Sequence, residues 1–480
     1  MKHLALSAIA LFIFKISSAQ YTAYTITKAM SPVTWSTGPI YFSSIAIEPG
    51  AQLTITGGIQ VIRNSNAKII VQRGTSSDDG GTLIINGGST ITSSSPGIYW
   101  HGIEVEGHGT KSQLPMSGIS WQGRCEIYGS TISRSIWGLI NNGLTVNGGG
   151  GIIICDNTTF TDLGATIAHL HTYQNYSPST PSVKLNDLSY FKGCFFDYST
   201  GSIGPSFIWR GVLDISSKGV RILGCTFKGP DKVSSPKIWV HNGGGVIIDE
   251  SNNGSSTTPT TFDQIDYPIF VSQNDGFAKI YDTEMSDCHQ CIRVEGIMDN
   301  VEIIRNDIEV RRTDNESVGI SIVSSTFYHI EENTINYPGN TSGFEEDFGV
   351  VYKSTGTKGQ ELYRNNIYDS DHGFQSIGIN KNQFNGTFGV RVLCNDFDHS
   401  NNDSRDVVVK SNNTAPSSAN QGISNLQSIV DMALSEYNAA ENLFSLRTGT
   451  NDRHYFTESS MDNTWYYYGS GSREFPPNTV

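Results

Sequence analysis

Apolar and polar residues follow one short motif that recurs along most of the chain. An apolar residue is followed by two spacers, a small polar residue or Cys, one spacer and a second apolar residue. In the stretch VEIIRNDIEV (301–310), Ile303 and Ile308 are the apolar positions and Asn306 is the polar one. The copies are IYGSTI (127–132), CDNTTF (155–160), FKGCFF (191–196), ILGCTF (222–227), IYDTEM (280–285), IIRNDI (303–308), IEENTI (330–335), LYRNNI (362–367) and VLCNDF (392–397).

The spacing of these copies indicates a solenoid. Successive starts lie 23 to 36 residues apart, apart from one interval of 58 that we interpret as two periods with a degraded copy at VIIDESNN (246–253). Internal repeats of this length are typical of solenoids, in which each repeat buries its apolar side against its neighbours.

The residues between the copies predict strands. Short runs with alternating apolar residues follow the motif, as in VGISIV (318–323), and no amphipathic helical pattern or leucine-rich pattern accompanies them. Strands of three to five residues cannot bury a face alone but can do so when coils stack. The pattern therefore predicts an all-β fold, a right-handed parallel β-helix.

Stacking also gives the polar position of the motif a structural role. Coils in a β-helix lie about 4.8 Å apart, the normal distance between strands. Asn side chains at one turn position of successive coils can therefore hydrogen-bond one another in a ladder. The predicted ladder consists of Cys194, Cys225, Thr283, Asn306, Asn333, Asn365 and Asn395.

The two ends of the chain differ from the repeat. Residues 20–120 contain shorter alternating units with Gly-Gly and Pro-Gly turns, which predict a cap near 21–41 and the first coils. Residues 121–412 are predicted to form the main β-helix, with coils of about 29 residues. In 413–480 the stretch SNLQSIVDMALSEYNAAENLF places six residues on one helical face, which predicts an amphipathic C-terminal capping helix followed by a Tyr-rich tail. The six are Leu426, Ile429, Val430, Ala433, Leu434 and Tyr437.

The N-terminus predicts export. Lys2 and His3 precede an apolar run from Leu4 to Phe14 and a small-residue cleavage site at 17–19, which is typical of a secretory signal peptide over residues 1–19. No later segment has the apolar length of a transmembrane helix. We therefore expect a secreted or cell-surface protein.

The net charge of the chain restricts the class of molecule that it can bind. The net charge is −14, and removal of the signal peptide makes it −16. A strongly acidic chain argues against nucleic acid, which binds basic surfaces. A polysaccharide or cell-surface glycan is the partner we expect.

The N-terminal coils resemble a known group. EPGAQLTITGGIQVIRNSNAKIIVQRG, GTLIINGGSTIT and WHGIEVEG look like the secreted right-handed β-helix proteins, of pectate-lyase-like fold, from bacteria with type IX secretion. The resemblance covers most of residues 40–410 and implies a scaffold rather than a reaction. Such proteins usually end in a β-sandwich sorting domain, and this sequence ends at Val480 without one.

Two functions follow from this fold. The first is a non-catalytic surface, adhesion or carbohydrate-binding scaffold. The second is a polysaccharide lyase or related enzyme on the lateral face, which needs a base and a group that neutralises the sugar carboxylate. Counting nine residues from motif starts reaches His289, Arg312 and Asp371, with Arg311 and His372 beside them. A solvated row of turn residues is the alternative for these positions.

The candidate metal ligands and the candidate sugar-binding aromatic residues also have two interpretations each. Glu345, Glu346 and Asp347 could help to hold Ca²⁺ under the lyase alternative, or form a charged loop, and the non-catalytic function needs no cofactor. Five tryptophans could stack on sugars or pack within the fold. They are Trp100, Trp121, Trp137, Trp209 and Trp239.

Overall fold

The computed structural model describes most of residues 21–445 and two short strands beyond them. The predicted signal peptide, Trp209 and Glu345 lie outside the described residues. The positions that are not described are 1–20, 59, 64–66, 142–148, 165, 198–211, 230–235, 253, 255, 275, 298–299, 314, 340–345, 356–359, 381–388, 400–403, 411–422, 424–425, 428, 432–435, 439, 441, 446–454, 458–464 and 467–480.

Each coil contributes strands to three parallel sheets, which we number in the order in which the chain meets them from Val33 onwards. Sheet 1 contains Val33–Trp35, Gln52–Ile55, Thr82–Ile85, Arg124–Tyr128, Ile152–Asp156, Tyr190–Lys192, the second half of Val212–Leu223, Gly245–Asp249, Phe277–Tyr281, Val301–Ile304, Tyr328–Glu331, Gln360–Tyr363 and Val390–Leu393. Sheet 2 contains the first half of Ile40–Ile47, Gln60–Arg63, Thr90–Ser93, Thr131–Ser133, Thr159–Thr161, Phe195–Asp197, Thr226–Lys228, Thr260–Asp263, Thr283–Cys288, Asp307–Val310, Thr334–Asn336, Asn366–Tyr368 and Asp396–Asp398.

Sheet 3 carries the longest strands and the candidate site described below. It contains Thr22–Ile26, the second half of Ile40–Ile47, Lys68–Val71, Gly102–Val105, Trp137–Ile140, Thr166–Tyr173, the first half of Val212–Leu223, Ile238–Val240, Ile269–Asn274, Gln290–Ile297, Ser317–Val323, Asp347–Lys353, His372–Ile377, Arg405–Lys410 and Tyr455–Thr457. The remaining elements are a 3-10 turn at Lys28–Met30 and the strands Asn175–Tyr176, Lys184–Leu185, Ser251–Asn252, Thr257–Thr258, Leu426–Gln427, Ile429–Asp431, Glu436–Asn438 and Trp465–Tyr466.

Strand pairing confirms the all-β parallel β-helix. Val301–Ile304 pairs in parallel with Phe277–Tyr281 of the preceding coil and with Tyr328–Glu331 of the following coil. The same one-coil step relates neighbours in sheets 2 and 3. Among the described strands of the three sheets, each strand between the first and the last of its sheet is therefore hydrogen-bonded on both sides, and the unpaired edges lie at the ends of the stack.

The core is a column of inward-facing side chains. Alternate residues of each strand point inwards, so Ile303 and Ile308 are fully buried. Behind sheet 2, four phenylalanine rings stack in successive coils with centroids 4.5 to 5.2 Å apart. They are Phe160, Phe196, Phe227 and Phe262.

The turn between sheets 1 and 2 has the same backbone conformation in many coils. The residue before the ladder position has φ between +48° and +58°, a left-handed conformation that favours Gly or Asn. Early coils supply Asn157, Gly193 and Gly224, whereas later coils use Arg305 and Glu332 in the same conformation. The turn geometry is therefore kept where the sequence opposes it locally, which requires support from the neighbouring coils.

That support comes from hydrogen bonds along the ladder. Asn306 Nδ2 donates to Asn333 Oδ1 at 2.8 Å, and its backbone N–H donates to the same oxygen at 3.0 Å. The other Nδ2 hydrogen of Asn306 reaches the carbonyl oxygen of Ile280 at 3.1 Å. Asn333 bonds to Asn365, and Asn365 to Asn395, in the same way. These side chains are 0–1% exposed, so their amides have no access to water.

Smaller side chains occupy the ladder position in earlier coils. Thr283 Oγ1 donates to Asn306 Oδ1 at 2.8 Å, while Cys194 and Cys225 donate their thiols to backbone carbonyls. The degraded repeat also contributes a member, because Thr260 Oγ1 accepts the backbone N–H of Cys225. A hairpin of Ser251–Asn252 and Thr257–Thr258 interrupts that repeat and accounts for its weak motif.

The predicted C-terminal capping helix is wrong. The described residues of that stretch form the strands Leu426–Gln427, Ile429–Asp431 and Glu436–Asn438, the last two as an antiparallel hairpin. Immediately afterwards Asn442 Oδ1 accepts the backbone N–H of Asn395 at 2.9 Å. AAENLF (439–444) is therefore another copy of the repeat motif, and stacking on the preceding coil overrides local helix propensity.

Candidate functional site

The outer surface of sheet 3 brings together a cluster of imidazole and carboxyl groups. Thr166–Tyr173 supplies His169 and His171, the next strand supplies Asp214, and His241 directly follows Ile238–Val240. Register pairs His169 with Asp214, and Asp214 with Trp239. We call His169, His171, Asp214 and His241 the histidine cluster.

Asp214 is the centre of this cluster. Its Oδ2 lies 2.5 Å from Nδ1 of His169, and its Oδ1 forms a short contact with Nε2 of His241. Burial raises the pKa of Asp214, but the hydrogen bonds from the two imidazoles outweigh burial and lower that pKa to about 2. Asp214 is therefore a carboxylate at neutral pH, held between two histidines.

The histidines remain partly open to solvent. The side chain of His169 is 24% exposed, and those of Asp214 and His241 are 15% exposed. An imidazole that donates one N–H to Asp214 keeps its other ring nitrogen as a proton acceptor when it is neutral. Burial, reinforced by the neighbouring His169, lowers the pKa of His171 to about 4, so that ring is neutral at pH 7.

Aromatic rings lie beside the cluster. Trp239 stacks on His241 with centroids 4.2 Å apart and an angle of 21° between the rings. Trp137 approaches His169 edge-on at 6.2 Å. Both tryptophans are half-buried, whereas Trp100 is fully buried and donates Nε1–H to the carbonyl of Ser133. Sheet 3 thus combines an aromatic surface with groups that can hydrogen-bond hydroxyls.

The residues predicted from register lie elsewhere, and each of them is bonded to a neighbouring group. His289 is 6% exposed, and its Nε2 lies 3.0 Å from the hydroxyl of Thr313. Arg311 forms ion pairs with Asp266 and Asp287. Strand pairing matches Gln290 with Val318 of the next coil, so His289, one residue before Gln290, is not a register partner of Arg312.

Arg312 belongs to a buried ion pair. Its Nε lies 3.1 Å from Oδ2 of Asp347, with side-chain exposures of 4% and 1%. Asp371 Oδ2 accepts the backbone N–H of Asp347 at 3.1 Å. His372, next to Asp371, is 4% exposed and bonds to Gln375. The geometry suits a structural network better than a binding surface.

The two described members of the acidic triplet do not converge. Asp347 faces Arg312, whereas the exposed Glu346 lies 3.8 Å from Lys410 Nζ and 4.0 Å from His372 Nδ1. In the part of the chain that the structure describes, no group of three His, Cys, Asp or Glu side chains is arranged to hold a metal ion. A Ca²⁺ site at this triplet therefore has no support from the described side chains.

Asp347 should make the free energy of unfolding depend on pH. Burial, together with the Asp371 carboxylate, raises the pKa of Asp347 to about 6 although Arg312 opposes the shift. A carboxyl with a raised pKa stabilises the folded state most below its unfolded pKa of about 4, and this contribution is lost as pH rises through 6. When the pH is raised from 4 to 7.5, the free energy of unfolding of Asp347→Asn should therefore rise by about 1–2 kcal/mol relative to that of the native chain.

Urea unfolding of both proteins at the two pH values measures this gain. The comparison isolates Asp347 from His372, whose pKa burial lowers to about 3 and which acts in the opposite direction in both proteins. A stability difference between the two proteins that does not change with pH would contradict the prediction.

Comparison with known proteins adds little to this description. No known family model and no characterised protein sequence matches the chain. Among solved structures, one mutant form of the periplasmic alginate epimerase AlgG aligns at 11% identity with a TM-score of 0.30, covering 77% of this chain and 72% of that one. A double mutant of the same protein aligns at 11% identity with a TM-score of 0.23 and the same coverage. At these scores the strand pairings, and not the likeness, establish the parallel β-helix.

No helix in the described part of the chain has the length and apolar character needed to cross a membrane.

Proposed function

We propose that this protein binds a polysaccharide along the outer surface of sheet 3, across the histidine cluster and Trp239. The observation that carries the proposal is the half-buried indole of Trp239, stacked on His241 beside the ionised Asp214. Flat aromatic rings pack against the apolar faces of sugar rings, and carboxylate and imidazole groups hydrogen-bond to sugar hydroxyls. Sheet 3 offers both within two neighbouring coils.

The repeat distance of the coils supports a polymer rather than a single sugar. Outward positions of sheet 3 recur every coil, about 4.8 Å apart. This is close to the length that one sugar unit adds to an extended chain. A polysaccharide that runs parallel to the solenoid axis would therefore place successive units over His169, Asp214 and Trp239, which register aligns.

Export, which the N-terminal sequence predicts, agrees with this proposal. The N-terminal segment has the features of a signal peptide, and extracellular or periplasmic glycans are accessible only to an exported protein. Adhesion through a surface glycan is the role that this assignment favours.

Retention on immobilised polysaccharides tests the proposal. The mature chain should be retained by at least one polymer in a panel of acidic and neutral polysaccharides, and the free polymer should release it. If none retains the protein, glycan binding on sheet 3 is excluded for the panel and a protein partner becomes the better assignment.

A second function, polysaccharide lyase activity, is favoured by the arrangement around Asp214. A carboxylate that orients two imidazoles is suited to hold a ring nitrogen as a general base. Such a base would take the proton next to the carboxyl group of a uronate unit. The electron pair of the broken C–H bond would form a double bond in the ring as the bond to the neighbouring sugar breaks, and the departing sugar oxygen would take up a proton from water.

Asp214→Asn should lower the rate of that reaction by about 10²- to 10⁴-fold, because the amide does not stabilise an imidazolium as the carboxylate does. The ultraviolet absorbance of the unsaturated product measures the rate. Binding to the immobilised polymer should weaken far less than the rate falls, because the amide keeps the shape of the side chain and Trp239 is unchanged. Absence of any unsaturated product from the native chain would leave binding as the function.

A further inference from the structure

The outward row that begins at His169 continues beyond Trp239. Register pairs Trp239 with Phe270, Phe270 with Arg293, and Arg293 with Ser321 of the next coil. Arg293 therefore lies three coils from Asp214, about 14 Å along the axis at the normal strand spacing. A polymer that covers the histidine cluster and extends along the row reaches Arg293.

The guanidinium of Arg293 is held in place by neighbouring groups that use only some of its N–H donors. It lies over the ring of Phe270, 5.3 Å from the centroid, and Nη2 donates to Oε2 of Glu295 at 2.8 Å. Its Nε is buried without a hydrogen-bond partner, while the side chain as a whole remains 42% exposed. An arginine has five N–H donors, so contact with one carboxylate oxygen and one ring leaves donors for a ligand.

We infer that Arg293 is a subsite for an anionic group, carboxylate or sulfate, on a sugar unit about three positions from the histidine cluster. The inference rests on the proposed binding along sheet 3. A planar guanidinium fixed against an aromatic ring presents paired N–H groups to an oxyanion, which favours carboxylate or sulfate over a hydroxyl. In a chain with 46 acidic and 32 basic side chains, a cation on the binding surface also decides whether an acidic polymer can approach.

Matched polymers test this subsite. Polygalacturonate is compared with its methyl ester, and dextran sulfate with dextran, so that each pair consists of an anionic polymer and its uncharged counterpart. Dissociation constants are measured for the native chain, Arg293→Met and Trp239→Ala. Arg293→Met should weaken binding of the anionic member of a pair by about 10- to 100-fold and leave the binding of its uncharged counterpart within about twofold.

The outcomes separate this inference from the proposed function. Equal weakening of both members of a pair by Arg293→Met would overturn the subsite, because the residue would then only support Phe270. No weakening by Arg293→Met would also overturn it. If Trp239→Ala binds every polymer as the native chain does, or if the native chain binds none, the proposed binding surface itself fails. Arg293→Lys, which keeps the charge but not the paired donors, should recover only part of the lost affinity.

Discussion

Asn333→Ala is expected to lower the free energy of unfolding by about 3–5 kcal/mol. The variant removes the acceptor of the Asn306 backbone N–H and side-chain amide, and the donor to the carbonyl of Ile303. All of these groups are buried, and each buried polar group left without a partner costs about 1–3 kcal/mol. Equilibrium urea unfolding, followed by circular dichroism, measures the loss.

Two variants serve as controls, one for the change in side-chain volume at position 333 and one for the loss of an Asn side chain elsewhere. Asn333→Thr should recover part of the stability, because Thr283 and Thr260 occupy the same turn position and bond through their hydroxyls. Asn336→Ala removes a half-buried Asn from the neighbouring strand and should cost less than about 0.5 kcal/mol. If Asn333→Ala were no more harmful than Asn336→Ala, the ladder would not be a main source of stability.

Trp239→Ala is expected to weaken polysaccharide binding by about 10- to 30-fold, or about 1.4–2 kcal/mol. The indole stacks directly on His241 of the histidine cluster, and this contact fixes its orientation before a ligand arrives. Isothermal titration with the polymer that retains the native chain measures the change.

Tyr190→Ala is the matched control. Tyr190 is a half-buried aromatic residue on sheet 1, with the guanidinium of Arg221 5.3 Å from its ring centroid. Its removal should leave the dissociation constant within about twofold, because sheet 1 lies on a different side of the coil. Equal losses in the two variants would indicate a general structural effect, and a loss only in Tyr190→Ala would move the binding surface to sheet 1.

The sequence predicts the part of each coil that its motif spans. From the end of sheet 1 to the end of sheet 2 the spacing is constant, so counting from Ile303 places Asn306 and Ile308 in the turn and the core. The left-handed residue that precedes the ladder is the other constant feature, and it appears as Gly193 early and Arg305 later. Local chemistry and stacking agree over this segment, which is why pattern alone is sufficient there.

Beyond sheet 2 the same counting fails. The segments that lead to sheet 3 vary in length. At nine residues from its motif start, His289 directly precedes the strand Gln290–Ile297, whereas Arg312 at the same count lies five residues before Ser317–Val323. The histidine cluster was missed for the same reason. A signal existed in His169-Leu-His171, whose alternate spacing places both rings on one side of a strand, but Asp214 and His241 follow only from register.

The helix prediction failed for a related reason. Six apolar residues at helical spacing outweighed a copy of the repeat motif, AAENLF, within the same stretch. Asn442 in that copy bonds to Asn395 and extends the ladder by one coil. Periodicity within one segment carries less information than the match between neighbouring coils.

A crystal structure of the mature chain with an oligosaccharide from the polymer that it binds would test the central claim most directly. We expect the sugar rings over Trp239, with hydroxyls within hydrogen-bond distance of the histidine cluster and the chain running along the solenoid axis. An oligosaccharide bound to sheet 1 or sheet 2, with the outer surface of sheet 3 empty, would contradict the account.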